Sequence, residues 1–229
     1  MVQQSKRIQT SVLNGVEHKA LIWLADRQPA WMTSDILSGI GVIGAFLIAA
    51  GYLLSDLSIH WIWLSSFGFV VHWYGDSLDG TLARVRNCQR PIYGYYLDHT
   101  LDAVTEGIMF LGIGCSAILR LDIALAIFVI YLMLTLNVSI NAHLKSEFKL
   151  TYAKLGPTEF RVIMILLNTA YYFITPLREF QTSIYGFNLK ALDVAGLIII
   201  LILGSMYVVT VWNDLKGYDQ MDPAHKPEK

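Results

Sequence analysis

The sequence predicts an all-α fold: an integral membrane bundle of six transmembrane helices preceded by an N-terminal amphipathic interfacial helix. Three observations predict it. Of 229 residues, 55% are hydrophobic and only 15% charged, too little polar surface for a water-soluble domain of this length. The charges are also unevenly spread, because uncharged runs of 19 to 22 residues alternate with short polar connections. Finally, fourteen of the seventeen Lys and Arg residues fall on one set of alternating connections, as the positive-inside rule requires of a multi-pass chain.

The elements follow in order. Over residues 8–28, Ile8, Val12, Leu13, Val16, Ala20 and Leu24 recur at helical spacing, with Glu17, His18 and Lys19 elsewhere on the wheel, which predicts a helix lying in the interface. Charge interrupts its apolar stretch and no small-residue cleavage site follows, so a signal peptide is not expected. The span at 34–55 rests on the uncharged run Ile36–Ser55 (20 residues), and the span at 57–86 on Leu57–Gly75 (19 residues). Such runs cross a hydrocarbon core of roughly 30 Å at about 1.5 Å per residue. The span at 92–119 is apolar in its second half and carries Asp98, Asp102 and Glu106 in its first. Ile123–Leu144 supports the span at 121–144, and Val194–Asn213 the span at 191–213. Val162–Leu177 is shorter and is extended back through Thr158–Arg161 to give 158–177. Residues 1–213 thus form a single membrane domain, and 214–229 a polar cytoplasmic tail that frays.

Orientation follows from the same charges. The N-terminal segment, the 84–92 connection, the fourth-to-fifth connection and the tail are basic, whereas the opposite side holds only Arg120, Arg178 and Lys190. Both termini and the 84–92 connection are placed in the cytoplasm, at the plasma (inner) membrane if the source is bacterial. Cys88 and Cys115 lack metal-ligand spacing and are read as ordinary thiols. A net charge of −1 says little about partners, and no nucleic-acid partner is expected.

The informative stretch is 75–102. Asp76 and Asp79 lie three apart on the continuing second span, with Gly80, Ala83 and Arg84 on the same face. Asp98 and Asp102 lie four apart on the third, with Gly94 one turn earlier. The short connection containing Pro91 makes these helices antiparallel neighbours, so two carboxylate pairs face each other near the cytoplasmic end. A single intramembrane carboxylate costs about 2.5–3.5 kcal/mol on insertion scales. Solvated interfacial acids account for one such residue, but four opposed across a hairpin call for neutralising cations. An all-oxygen donor set favours Mg²⁺, Mn²⁺ or Ca²⁺ over zinc, and carboxylate-held hard metals serve phosphate chemistry. Small Gly80 and Ala83 leave room for a ligand against the helix, and Arg84 is placed for a phosphate.

The pattern Asp76-x-x-Asp79-Gly80-x-x-Ala83-Arg84, nine residues, then Gly94-x-x-x-Asp98-x-x-x-Asp102 resembles the signature of the CDP-alcohol phosphotransferase (CDP-alcohol phosphatidyltransferase) family. The usual spacer has eight residues, and the extra one falls in the loop, where it costs little. The resemblance implies a six-helix homodimer of phospholipid synthesis that transfers a substituted phosphate from a CDP-linked donor to an alcohol and releases CMP. It implies Mg²⁺ or Mn²⁺, two ions, on Asp76, Asp79 and Asp98 with Asp102 close by. Asp102 is then the general base, and Thr33, Asp79, Gly80, Ala83, Arg84 and Gly94 border the nucleotide. Thr33 enters through Pro29-Ala30-Trp31-Met32-Thr33, which resembles the family's Pro-Asn-x-x-Thr element with Ala30 in place of Asn; it also reads as a helix cap. Gly156-Pro157-Thr158-Glu159 is similar to a stretch of the eukaryotic choline and ethanolamine phosphotransferases, making Thr158, Glu159 and Arg161 candidate acceptor contacts.

Two other functions compete. An intramembrane prenyltransferase also binds a diphosphate through aspartates and Mg²⁺, but on well-separated helices. A cation transporter would scatter its acids near mid-span. The donor is either CDP-diacylglycerol with a polar acceptor or a CDP-linked small alcohol with a lipid acceptor. Arg161 suits a phosphorylated polyol and Glu159 a cationic headgroup, and the sequence leaves both open. His72, His143 and His99 are discounted, the first two as helix-packing residues and His99 as turned about 100° around the helix from Asp98.

Overall fold

Glycine sets how closely the central helices of this chain approach one another. The computed structural model describes residues 6–8, 14–145, 147–149, 157–184 and 186–223. In chain order the elements are β1 (Lys6–Ile8), α1 (Asn14–Asp26), α2 (Ser34–Leu54), a 3₁₀ turn (Ile59–Trp61), α3 (Ile62–Val85), α4 (Pro91–Gly114), α5 (Leu121–Lys145), β2 (Glu147–Lys149), α6 (Pro157–Phe173), α7 (Thr175–Glu179), β3 (Gln181–Ile184), β4 (Phe187–Lys190) and α8 (Ala191–Met221). α2 begins where Thr33 Oγ1 accepts a hydrogen bond from Ile36 N at 3.2 Å, satisfying one of the free amides of its first turn.

α2 and α3 run antiparallel with their backbones in contact. A Cβ on Gly75 would lie 2.2 Å from Gly41 N, and one on Gly44 2.4 Å from His72 N. Only hydrogen fits at these crossings, which is how small residues let membrane helices pack closely. α4 crosses the other side of α2, where a Cβ on Gly112 would lie 2.4 Å from Ala49 Cα. α6 and α1 pack on α3, and α5 joins α4 to α8. Buried Ile48, Tyr52, Ile62, Phe69 and Ile113 fill the end away from the 86–90 connection, and Leu21, Ala25, Met32, Leu37, Leu78 and Leu82 pack under α1.

Among the described residues, three helices are long and apolar enough to cross a membrane: Ser34–Leu54, Leu121–Leu144 and Ala191–Met221, whose most apolar 18-residue windows have mean hydropathies of 2.1, 2.4 and 2.6. Along α8 the large side chains of Leu201, Ile202, Val208 and Val209 point outward, an apolar surface far beyond what a soluble monomer exposes.

Several boundaries differ from expectation. The all-α reading is amended by two small sheets. β1 pairs in parallel with β2, and β3 with β4 as a hairpin that turns through Gly186 at φ +82°, a backbone conformation glycine tolerates. The N-terminal helix starts at Asn14, since Ile8 is in a strand; Val12 and Leu13 lie outside the described residues. Its buried face is centred on Leu21 and Ala25, which dock on α3, and Val16 is 74% exposed. α4 stops at Gly114, short of 119, where Asp56 Oδ1 accepts from Ala117 N at 2.7 Å and fixes the turn. α6 ends at Phe173, and Pro176 opens α7. α8 runs through Met221 where a frayed tail was expected after Asn213. Asn137 Nδ2 and Asn141 Nδ2 donate to Asp214 Oδ2 at 3.0 and 2.7 Å, and Tyr218 OH donates to Asn141 Oδ1 at 2.6 Å. That network ties the polar end of α8 to α5.

Candidate active site

The antiparallel hairpin of α3 and α4 brings the acidic residues to one place. Three carboxylate oxygens, one each from Asp76, Asp98 and Asp102, lie within 4.8 Å of one another. The three and Asp79 line one cavity with Ser38, Gly41, Val42, His72, Leu101 and Thr105. Asp79 is tethered differently from the others. Ser38 Oγ donates to its Oδ2 at 2.6 Å, Gly80 N donates to its Oδ1, and Ser34 Oγ donates to its backbone carbonyl at 2.9 Å. The first two turns of α2 are thereby wired to Asp79 of α3.

Oxygens that share one Mg²⁺ at about 2.0–2.1 Å sit roughly 3–4 Å apart. The three converging oxygens, all within 4.8 Å of one another, are near that spacing. The donor set is all oxygen and anionic, which fits Mg²⁺ or Mn²⁺. Arg161 of α6, itself buried, supplies a cation: Nη2 is paired with Asp76 Oδ2, and Nη1 donates to Ser77 Oγ at 3.3 Å. The pair joins α6 to the acidic cluster, a largely buried charge pair of the kind that costs stability when one partner is removed.

The other expected residues sort into three groups. Arg84 Nη2 donates to Thr81 Oγ1 at 2.9 Å, and the guanidinium lies over Gly80, where an added Cβ would stand 3.4 Å from Nη1. Ala83 follows on the same helix, half-buried. Gly94 sits in the first turn of α4 with open space above its Cα. Thr33 is at the start of α2, beside Ser34. Of the candidate acceptor contacts, Arg161 reaches the aspartates. Thr158 instead donates to Glu17 Oε1 of α1, which also accepts from Trp73 Nε1 at 2.9 Å. Glu159 is buried in the first turn of α6.

Some site residues escaped the sequence reading. Ser34 and Ser38 are one turn apart, a pattern visible in the sequence, but only the α2–α3 contact shows that they face Asp79. His72, discounted as a packing residue, does pack on Gly44, yet it also lines the cavity one turn from Asp76. Its Nδ1 has no hydrogen-bond partner among the described residues. His99 also differs from expectation: its ring turns back so that Nδ1 lies 3.6 Å from Asp98 Oδ2, and it stacks on Tyr95 at 4.1 Å between centroids. Glu106, one turn beyond Asp102, is hydrogen-bonded to the Tyr131 side chain of α5.

Comparison with known proteins gives the same direction as the geometry. A profile of CDP-alcohol phosphatidyltransferase matches residues 31–212, which includes α2 to α6 and most of α8. A segment of 86 residues is 35% identical to the phosphatidylinositol phosphate synthase of Cutibacterium acnes (strain DSM 16379 / KPA171202). That alignment covers 37% of this chain and 38% of the length of the relative.

Proposed function

Because the chain belongs to the CDP-alcohol phosphatidyltransferase family, we propose that it is a membrane enzyme of phospholipid synthesis acting in the cytoplasmic half of a six-span bundle. The acceptor hydroxyl oxygen attacks the donor phosphorus that bears the alcohol. The bond from that phosphorus to the bridging oxygen breaks, and CMP leaves with that oxygen. The acceptor proton passes to Asp102, the general base. The observation that carries this reading is the convergence of Asp76, Asp98 and Asp102 across the α3–α4 hairpin.

Asp76, Asp79 and Asp98, with Asp102 adjacent, are the residues to hold two Mg²⁺ or Mn²⁺ ions. When bound, such ions neutralise charge on the transferred phosphate and orient it for in-line displacement. The protein supplies the rest. Arg84, Gly80 and Ala83 present a charged, small-residue face to the nucleotide, with Thr33 and Gly94 at its borders. The cytoplasmic face supplies the donor, and the chain is proposed to work as a homodimer.

For the acceptor, Arg161 favours an anionic alcohol. It is the candidate acceptor contact that touches the aspartates, and the named relative is a phosphatidylinositol phosphate synthase. A phosphorylated polyol such as an inositol phosphate, with CDP-diacylglycerol as donor, is the proposed pair. The placement of both acidic pairs within one hairpin supports this over a prenyltransferase or a cation transporter. The test is CMP release by purified protein with Mg²⁺ or Mn²⁺, crossing CDP-diacylglycerol and CDP-linked headgroups with inositol phosphate, glycerol phosphate, serine and diacylglycerol. Release only with CDP-diacylglycerol and a phosphorylated polyol is expected; absence of release from every pair sinks the proposal.

A further inference from the structure

We propose that Arg86 is a positioning residue for the donor nucleotide, acting through the backbone of residues 28–32 rather than by touching phosphate. The inference rests on the reading of Thr33 as a nucleotide border. In sequence Arg86 is one of three arginines in a basic connection, and any of them suits a phosphate. The structure separates them. Arg86 Nη1 donates to Met32 O at 2.5 Å, and Nη2 donates to Gln28 O and Pro29 O, both at 2.9 Å. Those carbonyls are 54 to 58 residues away in sequence.

The 27–33 connection is held at its start by Gln28, whose Oε1 accepts from Tyr74 OH at 3.1 Å, and at its end by the Thr33 cap. Between them Met32 N donates to Pro29 O at 3.0 Å, and Arg86 binds the carbonyls of Gln28, Pro29 and Met32 from the end of α3. The connection forms neither helix nor strand, and Pro29, Ala30 and Trp31 are exposed. Met32 is its one buried apolar anchor. The carbonyl of Met32 is the peptide that joins it to Thr33, so the guanidinium sets the plane from which Thr33 departs. A planar fork serves several carbonyls at once, which a single ammonium cannot. Arg90 is engaged elsewhere, donating to both carboxylate oxygens of Asp35 at 2.6 Å. Arg84, over Gly80, is left as the arginine facing the nucleotide.

The test compares wild type, Arg86→Lys and Arg86→Ala, as full chains in detergent, by steady-state CMP release and by hydrogen exchange resolved to residues 27–33. Arg86→Lys keeps the charge and a folded chain if Arg86→Ala does not fold. Expected are a rise of about tenfold in KM for the CDP-linked donor with kcat within about twofold, and faster exchange confined to 27–33. An unchanged donor KM, a fall in kcat alone, or exchange that is unchanged or raised throughout the chain overturns the proposal. If wild type releases no CMP from any donor, the functional reading fails by itself, and the exchange measurement still decides whether Arg86 holds the connection.

Discussion

Arg161 on α6 is ion-paired with Asp76 on α3, the first of the four carboxylates, across 85 residues of sequence. The two side chains are 10% and 24% exposed, so the pair is largely withdrawn from solvent. Its partners face different demands. Asp76 stands beside the carboxylates of Asp98 and Asp102, while Arg161 has been carried into the bundle and must meet an anion there. The pair therefore joins α6 to the acidic hairpin and places a cation at the edge of the proposed reaction centre.

Removing one partner of a buried pair leaves the other charge uncompensated, at about 3–5 kcal/mol. Arg161→Ala is expected to lower the thermal unfolding midpoint in detergent clearly. Asp76→Asn in the same background should recover part of the loss, because the stranded carboxylate is gone. A double-mutant cycle on unfolding midpoints checks this, and strictly additive effects contradict a direct pair.

Asp102→Asn keeps the size and polarity of the side chain but cannot take a proton. Turnover should fall by about 10²–10⁴, the usual contribution of a general base, while CMP binding is retained. Single-turnover CMP release and an independent CMP titration check the two halves. Full activity in the variant removes Asp102 from the role.

Chelation should abolish CMP release, with recovery on adding Mg²⁺ or Mn²⁺. Zinc should restore less, since it prefers nitrogen and sulfur donors to this all-carboxylate set. A metal-replacement series on chelated protein measures it. Release that survives exhaustive chelation rules out the metal reading.

Gly75→Ala should be far more damaging than one added methyl suggests. Its Cβ would sit 2.2 Å from Gly41 N, and helix backbones cannot yield as a side chain does. Overpacking typically costs about 1–3 kcal/mol, and this contact is at the severe end. Gly94→Ala, which meets nothing within 4 Å, is the control for folding. Thermal unfolding of the two variants should separate them clearly.

Asp214→Ala should free the polar end of α8. Asn137 and Asn141 both donate to that carboxylate, and without it the last turns lose two of the hydrogen bonds that tie them to α5, with the Tyr218–Asn141 bond left in place. Faster hydrogen exchange is expected over 214–221 with little change before 205. Protection that remains at wild-type levels shows that the helix end holds without the anchor.

Much of this was legible from residue type and spacing. Asp76, Asp79, Asp98 and Asp102 could be paired because i+3 and i+4 spacings fix a helix face, and a short connection fixes antiparallel neighbours. What the sequence concealed depends on which faces meet. Ser38 and His72 join the cavity only because Gly41, Gly44 and Gly75 let α2 and α3 touch, a pattern of small residues readable only once the partner helix is known. On α1 apolar periodicity marks several residues, and docking on Leu78 and Leu82 selects Leu21 and Ala25, with Leu24 packed beside them. In sequence the end of α8 reads as frayed, because Asp214 and Tyr218 look solvated until Asn137 and Asn141 are set opposite them.

The glycine crossings also divide the protein into fixed and movable halves. Where glycines bring α2 and α3 backbone to backbone, the pair has no compliant layer and behaves as one plate, carrying Asp76, Asp79 and Ser38 together. α4 is pinned to that plate where Gly112 meets Ala49, and its acidic end is more exposed. Asp98 lies fourteen residues from that pivot, about 21 Å along the helix axis. A tilt of roughly 3° there moves its carboxylate by about 1 Å, the scale on which ligand geometry is made or lost. The cluster is thus built like a vice with one stationary jaw, and a change in the spacing of its carboxylates falls to the lever that carries Asp98 and Asp102.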